Sequence, residues 1–158
     1  MKHVLLTIPT GPKVGLSTIS IGLFRALDRQ GVRVGFYKPI AQPVGGDESG
    51  DRSNAFIESQ SGVKPPRSLS ADEVREAIGH NEVENHMESI VQSLGSISEN
   101  YDAVVVEGLL QSDEFPYASM LNKRIAQTLS AEIILVSHFH NLSCEELNQQ
   151  VEIGSQEF

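Results

Sequence analysis

Apolar residues run along this chain in two alternating rhythms. Val4, Leu5, Leu6 and Ile8 form a nearly continuous apolar run closed by Pro9, the pattern of a strand covered on both faces. From Leu16 the spacing changes. Leu16, Ile19, Leu23, Ala26 and Leu27 recur at helical intervals as far as Gln30, and Gly31 supplies a stop. Val32, Val34 and Phe36 begin a second strand that ends at Tyr37-Lys38-Pro39-Ile40. Strand, helix and strand within roughly 40 residues make a βαβ unit, and so a right-handed crossover in a parallel sheet.

The next stretch, Ala41 to Asp51, is polar, acidic and rich in glycine. It leaves the C-terminal end of a strand, the edge where open α/β sheets place ligands. Arg52 to Gln60 reads as a helix capped by Asp51 and ended by Gly62, and Val63 to Leu69, with Pro65 and Pro66, reads as a connector. Ser70-Ala71-Asp72-Glu73 is a capping box for a short helix to about Ile78. Asn81 is expected to cap a longer helix carrying Val83, Met87, Ile90, Val91, Leu94 and Ile97 on one face. Ala103 to Val106 is an apolar strand followed by Glu107-Gly108. Tyr117 to Leu129 is a helix with Leu121, Ile125 and Leu129 inward, Ile133 to Val136 is the last strand, and Leu142 to Val151 begins a helix.

This alternation predicts a three-layer, doubly wound α/β fold with a parallel sheet and helices on both faces, and a P-loop layout, which needs Glu107 beside the loop after the first strand, gives the order 2-3-1-4. Val4–Ile8 and Val104–Val106 are expected side by side, with the insert from Ser70 to Glu99 outside the ligand edge. At 158 residues the whole chain, 1–158, is expected to be one domain. Leu147, Val151 and Ile153 lay down an apolar helical stripe with no strand after it. The expectation is a piece of a longer chain that is modestly stable alone and self-associates through uncovered surface.

A formal net charge of −9 argues against nucleic-acid or anionic-membrane surfaces, which call for a basic patch. The single cysteine, Cys144, makes no internal disulfide and suits a reducing compartment. No apolar run approaches the roughly 18 residues of a membrane span, and no signal-peptide pattern opens the chain. The cytoplasm is the expected compartment.

Candidate chemistry gathers at strand ends. Thr10-Gly11-Pro12-Lys13-Val14-Gly15-Leu16-Ser17-Thr18 has the strand–loop–helix layout of a P-loop, in which backbone N–H groups and the helix dipole hold phosphate. Here Gly11 and Gly15 are four apart, Leu16 takes the place of the phosphate lysine, and Pro12 removes a backbone donor. Ser17 occupies the position of a Mg²⁺-binding hydroxyl, or it and Thr18 merely cap the helix. Lys13 reads as a solvated loop lysine in preference to one that reaches back toward a phosphate. Lys38, ahead of Pro39, is placed to meet an anion or simply keeps its ammonium wet. Asp47, Glu48 and Asp51 are acids for Mg²⁺ or a solvated loop, and Glu107 is a metal ligand or water-positioning acid at a strand tip, or merely an exposed strand-end carboxylate. His138 and His140 have no cysteine or carboxylate at ligand spacing, which disfavours zinc.

Together Thr10-Gly11, Val14-Gly15, Ser17, Tyr37-Lys38-Pro39-Ile40, Asp51 and Val105-Val106-Glu107-Gly108 resemble the dethiobiotin synthetase family of ATP-dependent P-loop enzymes. The departures are Leu16 for the loop lysine and a loop shorter by two residues. A closer resemblance covers essentially the whole chain. Ile8 to Ser17, Tyr37 to Pro43, Val106-Glu107-Gly108-Leu109 and Leu121-Asn122, Ile125-Ala126, Thr128-Leu129 and Ala131-Glu132-Ile133 are similar to the N-terminal domain of long bacterial phosphate acetyltransferases. The short Val-Gly-Leu loop belongs to that pattern.

The resemblance implies a P-loop NTPase-like, dethiobiotin synthetase-like fold with a degenerate loop. It also implies a regulatory and assembly role. The parent enzyme interconverts acetyl-CoA plus phosphate with acetyl phosphate plus CoA, in a separate C-terminal acetyltransferase domain. No catalytic residue is then expected in this chain and no cofactor is required. Thr10, Gly11, Gly15, Ser17, Thr18 and Lys38 would form a pocket for an anion, nucleotide, NADH or small-metabolite effector, with Mg²⁺ on Asp51 and Glu107. The expected partners are the rest of the parent chain and further copies of it. The competing readings are a stand-alone ATP-dependent enzyme of the dethiobiotin synthetase kind and a structural module with a vestigial pocket.

Overall fold

A computed structural model describes residues 3–42, 52–139, 142–156 and 158. The elements in chain order are β1 (His3–Pro9), α1 (Leu16–Arg29), β2 (Val34–Tyr37), α2 (Arg52–Ser61) and α3 (Ala71–His80). There follow α4 (Val83–Ser98), β3 (Ala103–Glu107), α5 (Ala118–Leu129), β4 (Glu132–Val136) and α6 (Cys144–Gln156). The sheet runs β2-β3-β1-β4 with every pairing parallel, the order the sequence predicts. β1 lies between β3 and β4, in register Leu6↔Val106 and Leu6↔Ile133. It therefore has no free edge, and its apolar run is shielded on both faces.

Alternation along the strands divides the core in two. Toward α1 and α2, Phe24, Val34, Phe36, Ile57 and Val105 form one cluster, with the Phe24 and Phe36 rings edge to face, centroids 6.1 Å apart. Toward α3, α4 and α5, Leu6, Ile8, Val104 and Val106 meet Val74, Met87, Ile90, Leu94, Leu121 and Ile125. Each of these large side chains contributes about 1.5–3 kcal/mol on burial, so the α4 stripe is the reason the Ser70–Glu99 insert lies on the sheet. Val91, placed by sequence on the same face, is 43% exposed because it sits beside the stripe.

The boundary between α3 and α4 corrects one expectation. Asn81 does not cap α4; it terminates α3 in the left-handed region at φ 58°, and Glu82 precedes α4. Asparagine tolerates that conformation better than other side chains with a Cβ, so it serves a helix stop as readily as a helix start. The predicted cap Asp51, the acids Asp47 and Glu48, and His140 lie outside the described residues. α6 runs on to Gln156, with Ser143 and Glu146 exchanging hydrogen bonds at its start. None of its described residues is buried.

The capping box of α3 forms as read. The Ser70 hydroxyl accepts from the Glu73 N–H at 3.1 Å, and the Glu73 carboxylate accepts from the Ser70 N–H at 2.6 Å. That backbone hydrogen bond, aided by the Ser70 hydroxyl and Arg67, holds the Glu73 carboxyl below its ordinary range. A carboxyl lowered in the fold stabilises fully above its unfolded pKa and loses that contribution as pH falls through the folded value. Ser70→Ala is expected to cost about 1 kcal/mol at neutral pH. Urea midpoints at pH 7 and at about pH 3 check this, and the wild-type advantage narrows at the acid end.

Candidate functional site

All four strands discharge at one edge, and their order decides which ends meet. β3 lies between β2 and β1, with Tyr37 opposite Val106 and Thr7 opposite Glu107. Glu107 therefore has the residue after Tyr37 on one flank and the loop after β1 on the other. The Lys38 Nζ lies 3.1 Å from Glu107 Oε1, with the two side chains 9% and 1% exposed. From the other flank the Ser17 hydroxyl donates to the same oxygen at 2.8 Å. Glu107 Oε2 is buried without a hydrogen-bond partner among the described residues. Both donors converge on one carboxylate oxygen.

Local structure fixes each member. Pro39 biases Lys38 toward extended backbone, and the Ser68 hydroxyl donates to the Lys38 carbonyl at 2.6 Å. Leu69 N–H donates to the Pro39 carbonyl and Ala41 N–H to the Leu69 carbonyl, both at 2.8 Å, so the exit of β2 is tied to the connector. On the loop, Gly15 stands at the N-cap of α1 with φ 76°, and no side chain caps the helix. Ser17 is thus free of capping duty and turns to Glu107. Thr7 and Ser20 hydroxyl oxygens lie 2.7 Å apart, with the Val106 and Leu16 carbonyls as further acceptors at 3.2 and 2.8 Å. These contacts seat the first turn of α1 on β1 and β3.

The exit of β3 is clamped as well. A Cβ on Gly108 would lie 2.6 Å from the Thr7 carbonyl oxygen and 2.9 Å from Asn122 Oδ1, so only glycine fits after Glu107. Asn122, 2% exposed, accepts from Leu109 N–H at 2.8 Å and donates to its carbonyl at 2.9 Å. Gln42 repeats the exchange on Leu110, accepting at 2.8 Å and donating at 2.7 Å. Sequence reasoning passed over Thr7, Ser20, Gln42, Ser68 and Asn122 as site-building residues. No local pattern marks a polar side chain whose partner is a distant backbone group.

The expected pocket residues divide between two places. Ser17 and Lys38 meet at Glu107, whereas Thr10 and Gly11 line a cavity of about 320 Å³ together with Pro9, Leu135, Ile153 and Phe158. Thr10 there bonds the Ser137 hydroxyl at 2.7 Å. Gly15 shapes the turn, Thr18 is exposed, and Lys13 is exposed with φ 56°. Leu16, at the lysine position, is 2% exposed and so is part of the protein interior. His138 is exposed, and no group of three or more His, Cys, Asp or Glu among the described residues is placed to hold a metal.

The Mg²⁺ and nucleotide implied by the loop pattern were tested against this donor set. A divalent ion on Glu107 Oε1 would share that oxygen with an ammonium at 3.1 Å. Charges of +2 and +1 about 4 Å apart repel by about 8 kcal/mol at an effective dielectric of about 20. Leu16, which stands at the position of the phosphate lysine, turns its side chain into the interior and offers no cation there. The described residues do not fit a Mg²⁺–nucleotide complex.

A buried pair of this kind is costly to break and cheap to remove whole. Glu107→Gln and Lys38→Met are each expected to lower stability by about 3 kcal/mol, since each strands a buried partner. The double variant should cost at least about 2 kcal/mol less than the sum of the two. Denaturant unfolding of the four proteins measures the coupling.

With that geometry in hand, comparison with known proteins gives consistent results. The phosphate acetyltransferase of Pseudomonas putida is 40% identical over 150 residues, which are 95% of this chain and 22% of that protein. The phosphate acetyltransferases of Pseudomonas aeruginosa and Salmonella typhimurium are 37% and 33% identical over 99% and 100% of this chain, again 22% of their length. The chain thus spans about a fifth of the length of these relatives. A crystal structure of a DUF1611 family protein from Anabaena variabilis superposes with a TM-score of 0.55 over 86% of this chain and 32% of its own, at 20% identity, a likeness of fold alone. A family model described as an AAA domain matches residues 3–153, and on that match the chain belongs to the AAA domain family.

Proposed function

We propose that this chain is a regulatory and assembly domain of a phosphate acetyltransferase, and that it performs no phosphoryl transfer itself. One observation carries the reading: the position of the P-loop lysine is Leu16, buried at 2% exposure. Phosphoryl transfer is catalysed mainly by charge stabilisation around the moving group, and here the principal nearby cation is replaced by an interior side chain. The relatives named phosphate acetyltransferase support the assignment to that enzyme. The interconversion of acetyl-CoA and acetyl phosphate then belongs to the remainder of the parent chain, this domain's first partner.

Regulation on this reading means binding a small anionic metabolite at the loop edge. Its anionic group would meet Lys38 and the N-terminal N–H groups of α1. The cavity beside Thr10 and Gly11, bounded by Leu135, Ile153 and Phe158, would take an uncharged portion; its volume lies at the lower end of small-molecule sites. Assembly would use apolar surface outside this pocket's floor. Val151 on α6 is 39% exposed and Phe139 is 60% exposed, and β4 forms one edge of the described sheet, both features of surface that another copy or domain covers. No helix among the described residues is long and apolar enough to cross a membrane.

Two measurements test this. Incubation with Mg²⁺ and ATP is expected to give no turnover above the buffer rate; turnover abolished by Glu107→Gln would establish the stand-alone ATP-dependent enzyme instead. Calorimetric titration with nucleotides, NADH, pyruvate and acetyl-CoA is expected to find a saturable ligand, and Lys38→Ala should weaken it by at least about tenfold, the loss of one charge-assisted hydrogen bond. Binding by none of them would leave a structural module.

A further inference from the structure

In sites of strand–loop–helix layout the hydroxyl after the loop and the acid at a neighbouring strand tip together hold a divalent cation. Here that hydroxyl and that acid are present and in direct contact, Ser17 Oγ to Glu107 Oε1 at 2.8 Å. The same oxygen also takes the Lys38 ammonium at 3.1 Å. Three side chains from three elements thus converge with a cation among them, and the cation is covalently part of the chain. We propose that Lys38 is a built-in substitute for the metal: its ammonium holds the divalent position and makes anion binding at this edge independent of Mg²⁺.

Charge and shape both follow from that assignment. The Lys38–Glu107 pair is neutral, so the Glu107 carboxylate is compensated where it stands and neither repels an incoming anion nor attracts a free divalent ion as a lone acid would. Ammonium is a compact point charge with three donors, and one of them reaches Glu107. A ligand suited to this arrangement is a compact phosphate or carboxylate arriving as the free anion. A chelate that brings its own Mg²⁺ is excluded by the ammonium already in place. Ser68 and Pro39 hold the Lys38 backbone, and burial of the side chain at 9% exposure keeps the ammonium on Glu107.

The substitution makes an unusual prediction, that removing a lysine creates a metal site. The assignment concerns the resting protein and does not rest on any effector, so it survives or fails separately from the regulatory reading. Mn²⁺ serves as the probe, followed by electron paramagnetic resonance of the free ion and by the shift it causes in melting temperature. Wild type is expected to show no Mn²⁺ site that depends on Glu107. Lys38→Met, with Glu107 and Ser17 left facing each other, should bind Mn²⁺ at least tenfold more tightly than wild type and melt higher in its presence. Lys38→Gln, which keeps a donor for Glu107, is the second variant in case the first does not fold. Adding Glu107→Gln to either should erase the gain. A wild-type site lost on Glu107→Gln overturns the proposal, as does the absence of any Mn²⁺ gain in both lysine variants.

Discussion

The ion pair between Lys38 and Glu107 is the constraint to which the functional edge answers. Taking an ammonium and a carboxylate out of water costs several kcal/mol per ion, and only good geometry offsets it. That geometry is assembled from parts far apart in the chain. The order β2-β3-β1 puts Glu107 between Lys38 and the loop, Pro39 and Ser68 hold the lysine backbone, and Ser17 supplies a second donor to the same oxygen. A register slip of one residue would turn Glu107 to the other face of the sheet, where Val106 now packs among Leu6, Ile8 and Leu121. The core and the site therefore specify the same register.

The residues just after β3 extend that logic from charge to backbone. Gly108 permits the close approach to Thr7, and the two amides Asn122 and Gln42 each saturate one residue of the following segment. Neutral side-chain amides satisfy both the donor and the acceptor of a backbone unit at once, which leaves no orphaned group at an edge without regular ladder bonds. The result is a rigid floor beneath the loop, built from the β3 exit and the first turns of α1 and α5. Binding at a floor of this kind would not require the backbone to be ordered first.

Much of this was legible in the residues. The parallel sheet followed from apolar runs alternating with helical periods, its order from the P-loop layout that needs Glu107 beside the loop, and the meeting of Ser17, Lys38 and Glu107 from placing strand ends on one edge. What could not be read was pairing. Asn122 and Gln42 look like any surface amide until their distant backbone partners are known, and Thr7 looks like an interruption in an apolar strand until Ser20 faces it. Asn81 was misplaced because asparagine suits both helix starts and left-handed helix stops, and only the backbone angle distinguishes them. Ser17 was open between cap and site for a similar reason. The turn at Gly15 decided it by starting the helix without any side-chain cap.

The central claim, that the Lys38 ammonium is buried on Glu107, is most directly tested by nuclear magnetic resonance of the lysine ammonium groups at low temperature. The chain has five lysines, Lys2, Lys13, Lys38, Lys64 and Lys123, and solvent-exposed ammonium protons exchange too fast to persist in such spectra. The account predicts one slowly exchanging ammonium signal that belongs to Lys38, disappears in Lys38→Met, and shifts when Glu107 becomes glutamine. A Lys38 ammonium that exchanges as fast as that of exposed Lys13, or a signal indifferent to Glu107→Gln, would contradict it.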